Sequence, residues 1–264
     1  MEIPKMRVGF GALRLTGPGA FDRTPDRSAA RAVLRRAVDL GVTHIDTADS
    51  YGLGDNEELI AEALHPYPSG LVIATKAGQS RPDRRSWVPL GRPEYLRQQA
   101  ELSLRRLRVD RLDLFYLHRV DPHVPFADQV GALAELRAEG KVAEVGLSEV
   151  TVEQLAEAEK LVPVAAVQNL YNWADRSHEP VLEHCTRSHK AFVPWLPVAG
   201  GRHDARLDAI AARIGVTPAQ VALAWLLHRS PVVLPIPGTR SLDHLAENVA
   251  AAEIDLGASE LDRP

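Results

Sequence analysis

The sequence contains one cysteine, Cys185, among its 264 residues. A single cysteine cannot form an internal disulfide, and it leaves no set of cysteines for a zinc site. The longest purely apolar run, residues 221–227, is too short to cross a bilayer, and residues 1–10 lack the apolar core of a signal peptide. The formal net charge of −4 argues against a broad basic surface for nucleic acid or for an anionic membrane. We therefore expect a soluble, cytoplasmic protein with no bound metal and no nucleic-acid or membrane partner.

The rest of the composition is that of an ordinary globular protein, with 45% hydrophobic and 25% charged residues. Short β-rich runs alternate along the chain with segments of helical periodicity. The predicted strands are residues 7–13, 44–49, 71–76, 112–118, 142–148, 164–169, 192–198 and 232–237. The predicted helices are residues 26–40, 56–64, 94–107, 126–139, 151–161, 180–188, 205–214, 218–227 and 242–252. Gly140 is expected to cap a helix in the left-handed conformation, and Thr151 with Gln154 to form a capping box.

This alternation predicts an α/β protein built from about eight strand–helix units. Strands that are apolar on both faces and joined by helices are typical of a parallel sheet covered on both sides. An open, doubly wound sheet would satisfy the same pattern. The absence of a recognisable second domain favours closure of the sheet. We therefore expect one (β/α)8 TIM barrel domain over residues 1–264.

Four polar residues stand where the predicted strands end, which is where barrel enzymes carry their active sites. Asp46 and Tyr51 follow the second strand, Lys76 ends the third, and His118 ends the fourth. Each has an ordinary structural explanation when taken alone: an aspartate caps a helix, a lysine is solvated, and a histidine or tyrosine packs locally. Their occurrence at consecutive strand–helix junctions predicts that the four side chains converge.

The chemistry of these side chains is complementary. A buried lysine–aspartate pair beside a tyrosine supplies positive charge, which lowers the pKa of the phenol from its reference of about 10. Such a tyrosine can give a proton to a carbonyl oxygen, and an imidazole can orient that oxygen. The alternative on the same barrel is a lyase in which Lys76 forms a Schiff base, which requires a lowered lysine pKa. An adjacent Asp46 would keep Lys76 protonated, so the reductase interpretation is favoured.

The run His-Ile-Asp-Thr-Ala-Asp-Ser-Tyr-Gly at residues 44–52 resembles the signature of the aldo-keto reductases. Lys76 and His118 follow at spacings that complete the catalytic tetrad of that family. The resemblance implies reduction of an aldehyde or ketone to an alcohol with NADPH. It also implies that Tyr51 is the proton donor, that Lys76 and Asp46 tune it, and that His118 orients the substrate.

Further motifs extend the resemblance over nearly the whole chain. Residues 140–148 and 167–169 resemble the fifth-strand and sixth-strand motifs of the family. Residues 10–19, 117–121 and 235–239 most resemble the bacterial branch that includes pyridoxal reductases. Some relatives within the family act instead as cofactor-sensing regulatory subunits of channels, and an intact tetrad is compatible with that role too.

The resemblance also implies an extended NADPH across the mouth of the barrel. Its nicotinamide end is expected at Ser148, Gln168 and Trp195, where the indole stacks on the ring. Its pyrophosphate is expected at Leu196, Val198 and Gly200. Its adenosine end is expected at Gly238, Thr239, Arg240, His244, Glu247 and Asn248.

Three positions depart from the family pattern. Glu149 stands where an asparagine is usual, and Gly238 and His244 stand where many members have a lysine and an arginine. Arg240 is therefore expected to bind the 2′-phosphate with its guanidinium fork. The hydroxyl of Thr239 lies near the start of a predicted helix, a place suited to anions.

The substrate pocket is predicted less directly. Trp87 and Trp173 are expected to frame an aromatic or heteroaromatic carbonyl, with Arg119 available for a polar substituent. Packing on neighbouring loops explains each tryptophan equally well. The chain ends at Pro264, shortly after the last predicted helix, which predicts an open site or one completed by a neighbouring subunit. The oligomeric state and the particular carbonyl substrate stay open.

Overall fold

A computed structural model describes residue 4 and residues 6–202 and 204–257 of the chain. The inner wall over these residues is a sheet of seven parallel strands, ordered as in the chain, each pairing with the next. The strands are Phe10–Gly11, His44–Asp46, Val72–Ala77, Leu112–Leu117, Val142–Ser148, Val164–Gln168 and Ala191–Phe192. The predicted arrangement of the chain after residue 257 lies outside the described residues.

An eighth extended segment, residues 232–237, closes the sheet into the predicted barrel. The backbone N–H groups of Gly9 and Gly11 donate to the carbonyls of Pro235 and Pro237 at 2.9 and 3.2 Å. On its other side the segment bonds to the seventh strand. Because proline has no N–H, the ladder is incomplete here, and the segment forms only an isolated bridge rather than the predicted full strand.

The barrel interior is filled by side chains rather than left open. Small and large apolar residues from the strands interleave: Ala74, Leu114, Tyr116, Ala166, Ala191, Val193, Leu234 and Ile236. Gly146 makes this packing possible, since a Cβ added there would lie 2.3 Å from the ring of Tyr116. The filled interior leaves the carboxyl ends of the strands as the place where polar side chains meet a cavity.

The helices pack around the barrel and bury one face each. Over the described residues they are Arg27–Asp39, Asp55–Leu64, Pro93–Leu107, Phe126–Ala138, Val152–Ala158, Glu179–Arg187, Ala205–Ile214, Pro218–Arg229 and Leu242–Ala250. The first is typical: the Asp26 side chain accepts a bond from the N–H of Ala29, and Ala30, Val33 and Leu34 face the core. An antiparallel hairpin, Gln79–Ser80 with Val88–Pro89, follows the third strand.

Several strands are shorter than predicted because the chain leaves the ladder to build loops at the rim. The predicted strand 7–13 is reduced to Phe10–Gly11, after which Ala12–Leu15 forms a 3-10 helix. The predicted strand 44–49 ends at Asp46, and a second 3-10 helix covers Tyr51–Gly54. The predicted strand 192–198 ends at residue 192. These loops carry most of the site described below.

Within the described part of the chain, no single helix is long and apolar enough to span a membrane. Ala205–Ile214 and Pro218–Arg229 reach that length and apolarity only when taken together, and they are bent by 96°.

Candidate active site

The predicted lysine–aspartate pair is present and buried. Lys76, at the end of the third strand, is fully buried, and its Nζ donates to Oδ1 of Asp46 at 2.6 Å and to the carbonyl of Thr47 at 2.7 Å. The second carboxylate oxygen of Asp46 accepts from Nε2 of Gln168 at 2.8 Å. Burial acts to lower the pKa of Lys76, but the attractions of Asp46 and Tyr51 and the hydrogen bonds to them together outweigh it, so the pKa is raised. The lysine therefore stays an ammonium ion.

Tyr51 lies beside this ammonium ion, in the loop after the second strand. Lys76 Nζ is 5.1 Å from the centroid of the Tyr51 ring, and the phenol is buried. Burial raises the pKa of Tyr51 and the charge of Asp46 adds to this rise, while Lys76 and, less strongly, Arg119 act to lower it. Lys76 thus lowers the phenol's pKa as expected, but the net direction differs from the prediction because burial is the larger effect. Tyr51 carries its proton at neutral pH.

His118 follows the fourth strand and completes the predicted group. Its ring centroid is 5.8 Å from that of Tyr51, at an interplanar angle of 76°. Its Nδ1 lies 3.4 Å from the hydroxyl of Ser50, which makes Nε2 the ring nitrogen left for a ligand. Burial, with the charges of Lys76 and Arg119, lowers the pKa of His118 well below 6.5. The imidazole is therefore neutral at physiological pH and can orient an oxygen atom without competing for protons.

A cavity of about 1130 Å³ lies over these residues and extends along the barrel mouth. Asp46, Tyr51 and His118 line one end of it. Most residues predicted to bind the cofactor line the remainder: Gln168, Trp195, Leu196, Val198, Gly200, Gly238, Thr239, Arg240, His244, Glu247 and Asn248. The structure therefore brings three of the four tetrad residues and most of the predicted cofactor residues to one continuous cavity, and Lys76 lies buried behind Asp46.

Ser148 is the predicted cofactor residue that does not line the cavity. It is fully buried, and its hydroxyl accepts a bond from Nη1 of Arg119 at 3.0 Å. The same nitrogen donates to the carbonyl of His118 at 2.6 Å. Ser148 therefore holds Arg119 at the rim, and Arg119 itself lines the cavity.

Trp195 is held in place by Glu149, the residue that departs from the family pattern. The indole Nε1 donates to Oε1 of Glu149 at 2.7 Å, and the N–H of Leu170 donates to the same oxygen at 2.6 Å. His178 lies 3.6 Å from the other carboxylate oxygen. Glu149 thus fixes the orientation of the Trp195 indole through this hydrogen bond.

Arg14 and Arg240 lie together at the part of the cavity that residues 236–240 line, and Arg202 lines the cavity from a separate loop. The guanidinium of Arg240 donates to the carbonyls of Arg14 and Thr16, which ties it to the loop after the first strand. The Ser241 hydroxyl accepts from the N–H of His244, so the helix Leu242–Ala250 begins at this end. Cations beside a helix start suit an anionic phosphate. The donor set thus fits a phosphorylated dinucleotide at this end and an aromatic ring beside Trp195.

Of the three residues predicted to contact substrate, two line the cavity and one does not. Trp87 and Arg119 line the cavity close to Tyr51 and His118. Trp173 does not: its indole packs against Trp225 at 5.4 Å between centroids and donates to Asp204 at 2.9 Å. The prediction that Trp173 frames the substrate pocket is not supported, since these contacts keep the ring away from the cavity that holds Tyr51.

Several site residues were not found by sequence reasoning. Ser50 stands inside the recognised motif, so its proximity to His118 could have been suspected from its position. Arg14, Gln79 and Arg202 line the cavity from three separate loops. No local pattern marks these three, because only the fold brings their loops to the same mouth.

Fold and site together show a barrel with a buried tyrosine beside a lysine–aspartate ion pair and a neutral histidine. The Aldo/keto reductase family model matches residues 7–263. The chain belongs to this family and is an NAD(P)H-dependent oxidoreductase that acts on carbonyl or alcohol groups of small molecules.

Individual relatives agree with this assignment. The chain is 43% identical over 263 residues to a pyridoxine 4-dehydrogenase of Escherichia coli, covering 97% of this chain and 92% of that protein. It is 49% identical over 255 residues to an uncharacterised oxidoreductase of Schizosaccharomyces pombe, covering 96% and 83%. A thermostable aldo-keto reductase crystallised with the inhibitor epalrestat superimposes with a TM-score of 0.85 at 30% identity, covering 99% and 94%. An aldo/keto reductase of Klebsiella pneumoniae in complex with NADP and acetate gives 0.80 at 29%, covering 97% and 88%.

Proposed function

We propose that this protein reduces an aldehyde or ketone to an alcohol with NADPH, and that Tyr51 donates the proton. The observation that carries the proposal is the convergence of Tyr51, His118 and the Lys76–Asp46 pair at one end of the cavity. When bound, NADPH supplies the hydride that reaches the carbonyl carbon. The carbonyl oxygen gains negative charge in that step and takes the proton of the Tyr51 phenol.

The neighbouring side chains make this proton transfer favourable. Nε2 of the neutral His118 imidazole would donate a hydrogen bond to the carbonyl oxygen and so orient that oxygen towards the phenol. Lys76 stabilises the tyrosinate that remains after transfer, because its positive charge is buried 5.1 Å from the ring. Asp46 keeps Lys76 charged and fixed. These interactions are stronger in the transition state than with substrate bound, as catalysis requires.

The cofactor is proposed to lie along the cavity with its nicotinamide against Trp195. Gln168 lies beside that position and lines the cavity while bonding Asp46. Leu196, Gly200 and Gly201 have positive φ angles, so this loop curls and can offer backbone N–H groups to a pyrophosphate. Arg14 and Arg240, which lie together, supply the positive charge that the 2′-phosphate of NADPH needs.

The substrate is proposed to be a small heteroaromatic aldehyde of the pyridoxal type. The Escherichia coli relative at 43% identity is a pyridoxine 4-dehydrogenase. The substrate end of the cavity offers Trp87 as an aromatic wall and Arg119 as a cation for a hydroxyl or phenolate substituent. A planar ring between these groups would place its aldehyde oxygen at Tyr51 and His118.

A panel of carbonyl compounds tests this proposal. NADPH oxidation is followed at fixed protein concentration with pyridoxal, benzaldehyde, propanal and cyclohexanone, and with NADH in parallel. We expect turnover with NADPH, and the highest kcat/KM with pyridoxal. Turnover that favours propanal over both aromatic aldehydes would contradict the substrate class. Tight NADPH binding without turnover of any carbonyl would favour a regulatory role.

The lyase alternative is disfavoured by the ion pair. A lysine that forms a Schiff base must lose its proton, whereas Asp46 raises the pKa of Lys76. Borohydride treatment with pyridoxal should therefore leave Lys76 unmodified. Mass spectrometry that finds the reduced adduct on Lys76 would reverse this conclusion.

A further inference from the structure

Trp87 forms a wall over the reacting end of the cavity, although it lies on a loop. Its indole meets the ring of Tyr51 edge-on, with centroids 6.4 Å apart, and the ring of His118 at 6.5 Å. The residue is 37% exposed and sits just before the second strand of the hairpin after the third barrel strand. A tryptophan this exposed on a loop keeps a fixed orientation only if something holds its outer face.

Arg81 covers that outer face. The carbon at the centre of its guanidinium lies 3.6 Å from the centroid of the Trp87 indole and 5.5 Å from the ring of Phe21. Arg81 is itself only 7% exposed. A stacked guanidinium at this distance makes a cation–π contact and also restricts rotation of the indole.

Backbone carbonyls fix Arg81 from two loops that are distant in sequence. Its guanidinium donates to Ser86 at 2.9 Å and to Arg84 at 3.1 Å within its own loop. It also donates to Gly19 at 2.8 Å and to Ala20 at 3.1 Å in the loop after the first strand. Four bonds from one planar group leave it little freedom to move.

These four bonds all go to neutral carbonyl oxygens, and within the described residues no carboxylate forms an ion pair with Arg81. The carboxylate of Asp83 in the same loop accepts instead from the backbone of Arg85 and Ser86. Arg81 does not line the cavity, whereas Trp87 and Ala20 do. Any effect of Arg81 on substrate must therefore pass through the residues that it holds.

We propose that Arg81 is a positioning residue that clamps Trp87 against Tyr51 and His118 and thereby sets the preference for planar aromatic carbonyls. This inference rests on the proposed function, because it assumes that the substrate lies beside Trp87. A fixed indole offers a flat surface that an aromatic ring contacts fully, whereas a mobile indole must be ordered each time a substrate binds. A small aliphatic aldehyde makes little use of that surface.

The test compares Arg81→Met with Arg85→Met, which removes an exposed arginine from the same loop. KM and kcat are measured for pyridoxal, benzaldehyde and propanal, together with the Kd for NADPH. For Arg81→Met we expect KM for both aromatic aldehydes to rise roughly tenfold. KM for propanal, kcat and the Kd for NADPH should stay within about twofold of wild type, as should every parameter of Arg85→Met.

A conservative variant and a double variant separate positioning from general structural support. Arg81→Lys keeps the charge but lacks the planar fork. Its KM for the aromatic aldehydes should therefore lie between the values of the wild type and of Arg81→Met. In a Trp87→Ala background, Arg81→Met should add no further increase. The proposal is overturned if Arg81→Met raises KM for the aromatic aldehydes as much in the Trp87→Ala background as in the wild type. It is also overturned if Arg81→Met leaves that KM unchanged, or if KM for propanal and the Kd for NADPH rise by the same factor.

The failure of this inference is distinguishable from failure of the proposed function. If the wild-type protein reduces none of the three aldehydes, the proposed function is wrong and the role of Arg81 in substrate preference is overturned with it. If the wild type prefers aromatic aldehydes and Arg81→Met keeps that preference unchanged, the proposed function stands and only the clamp is refuted.

Discussion

Replacing Lys76 with methionine removes the positive charge beside Tyr51 while keeping a side chain of similar length. Lys76 Nζ lies 5.1 Å from the Tyr51 ring centroid in a fully buried setting. At an effective dielectric constant of about 20, one unit charge about 5 Å away contributes about 3 kcal/mol, or roughly two pKa units. The pKa of the phenol should rise further above its ordinary value. We expect kcat for reduction to fall by roughly tenfold to a hundredfold, since the tyrosinate loses its stabilising charge.

The same substitution should destabilise the fold, because it leaves the Asp46 carboxylate buried with Gln168 as its one side-chain hydrogen-bond partner among the described residues. Breaking a buried pair in this way costs about 3–5 kcal/mol. The double variant Lys76→Met with Asp46→Asn removes both charges and should recover most of that stability in urea denaturation. It should not recover the rate of NADPH oxidation with aldehyde. Recovery of activity together with stability would refute the electrostatic role of Lys76, because it would show that the pair only supports the fold.

Three further predictions concern the cofactor and the buried carboxyl groups. Arg240→Ala should weaken NADPH binding by roughly ten- to a hundredfold in fluorescence titration and leave NADH nearly unchanged; equal losses would mean that its bonds to the first loop are its whole function. Glu149→Leu removes the acceptor of the Trp195 indole N–H and should weaken NADPH binding several-fold, whereas Glu149→Gln, which keeps an acceptor oxygen, should stay close to wild type; identical affinities for both variants would contradict this role. Burial, reinforced by Glu57, raises the pKa of Asp49 to about 8. Since the unfolded chain releases this proton near pH 3.8 and the folded protein near pH 8, the unfolded state binds fewer protons between these values, and stability falls as pH rises through that window. As pH rises from 5 to 8, Asp49→Asn should therefore lose less stability than the wild type in thermal melts, by up to a few kcal/mol. If the stabilities of the two proteins fall in parallel with pH, Asp49 is not the group responsible.

Local signals in the sequence were sufficient for elements whose structure depends on near neighbours. The strand Val142–Ser148 and the helix Ala205–Ile214 have the predicted bounds. The capping box of Thr151 with Gln154 is confirmed, and Gly140 follows its helix with a φ of 77°. These features depend on residues three or four positions apart, which a sequence displays directly.

The eighth strand shows where such signals fail. Its apolar residues predicted a full strand, but the two prolines in the segment lack N–H groups, so the segment offers only carbonyl acceptors to the first strand. For Trp173 the sequence left a place in the substrate pocket and packing on neighbouring loops open, because its partners, Asp204 and Trp225, lie 31 and about 50 residues further along the chain. Contacts of that separation become visible only in the folded protein.

In the candidate site too, some residues could be predicted from sequence motifs and others could not. The recognised motif placed Asp46 and Tyr51 together, and the strand ends brought Lys76 and His118 to them. The clamp on Trp87 was missed because Arg81 bonds to carbonyls some 61 and 62 positions away in sequence. Backbone carbonyls carry no residue signature, so no motif could have indicated these bonds.

The central claim is that Tyr51 gives its proton to the carbonyl oxygen. Tyr51→Phe removes only the hydroxyl, keeps the ring contacts with His118 and Trp87, and leaves the cofactor end of the cavity unchanged. Single-turnover reduction of pyridoxal by the NADPH-loaded variant, measured beside NADPH binding, is the direct test. The account predicts a rate lower by roughly 10²–10⁴-fold with the Kd for NADPH within about twofold of wild type. A rate close to that of wild type would contradict the assignment of Tyr51 as the proton donor.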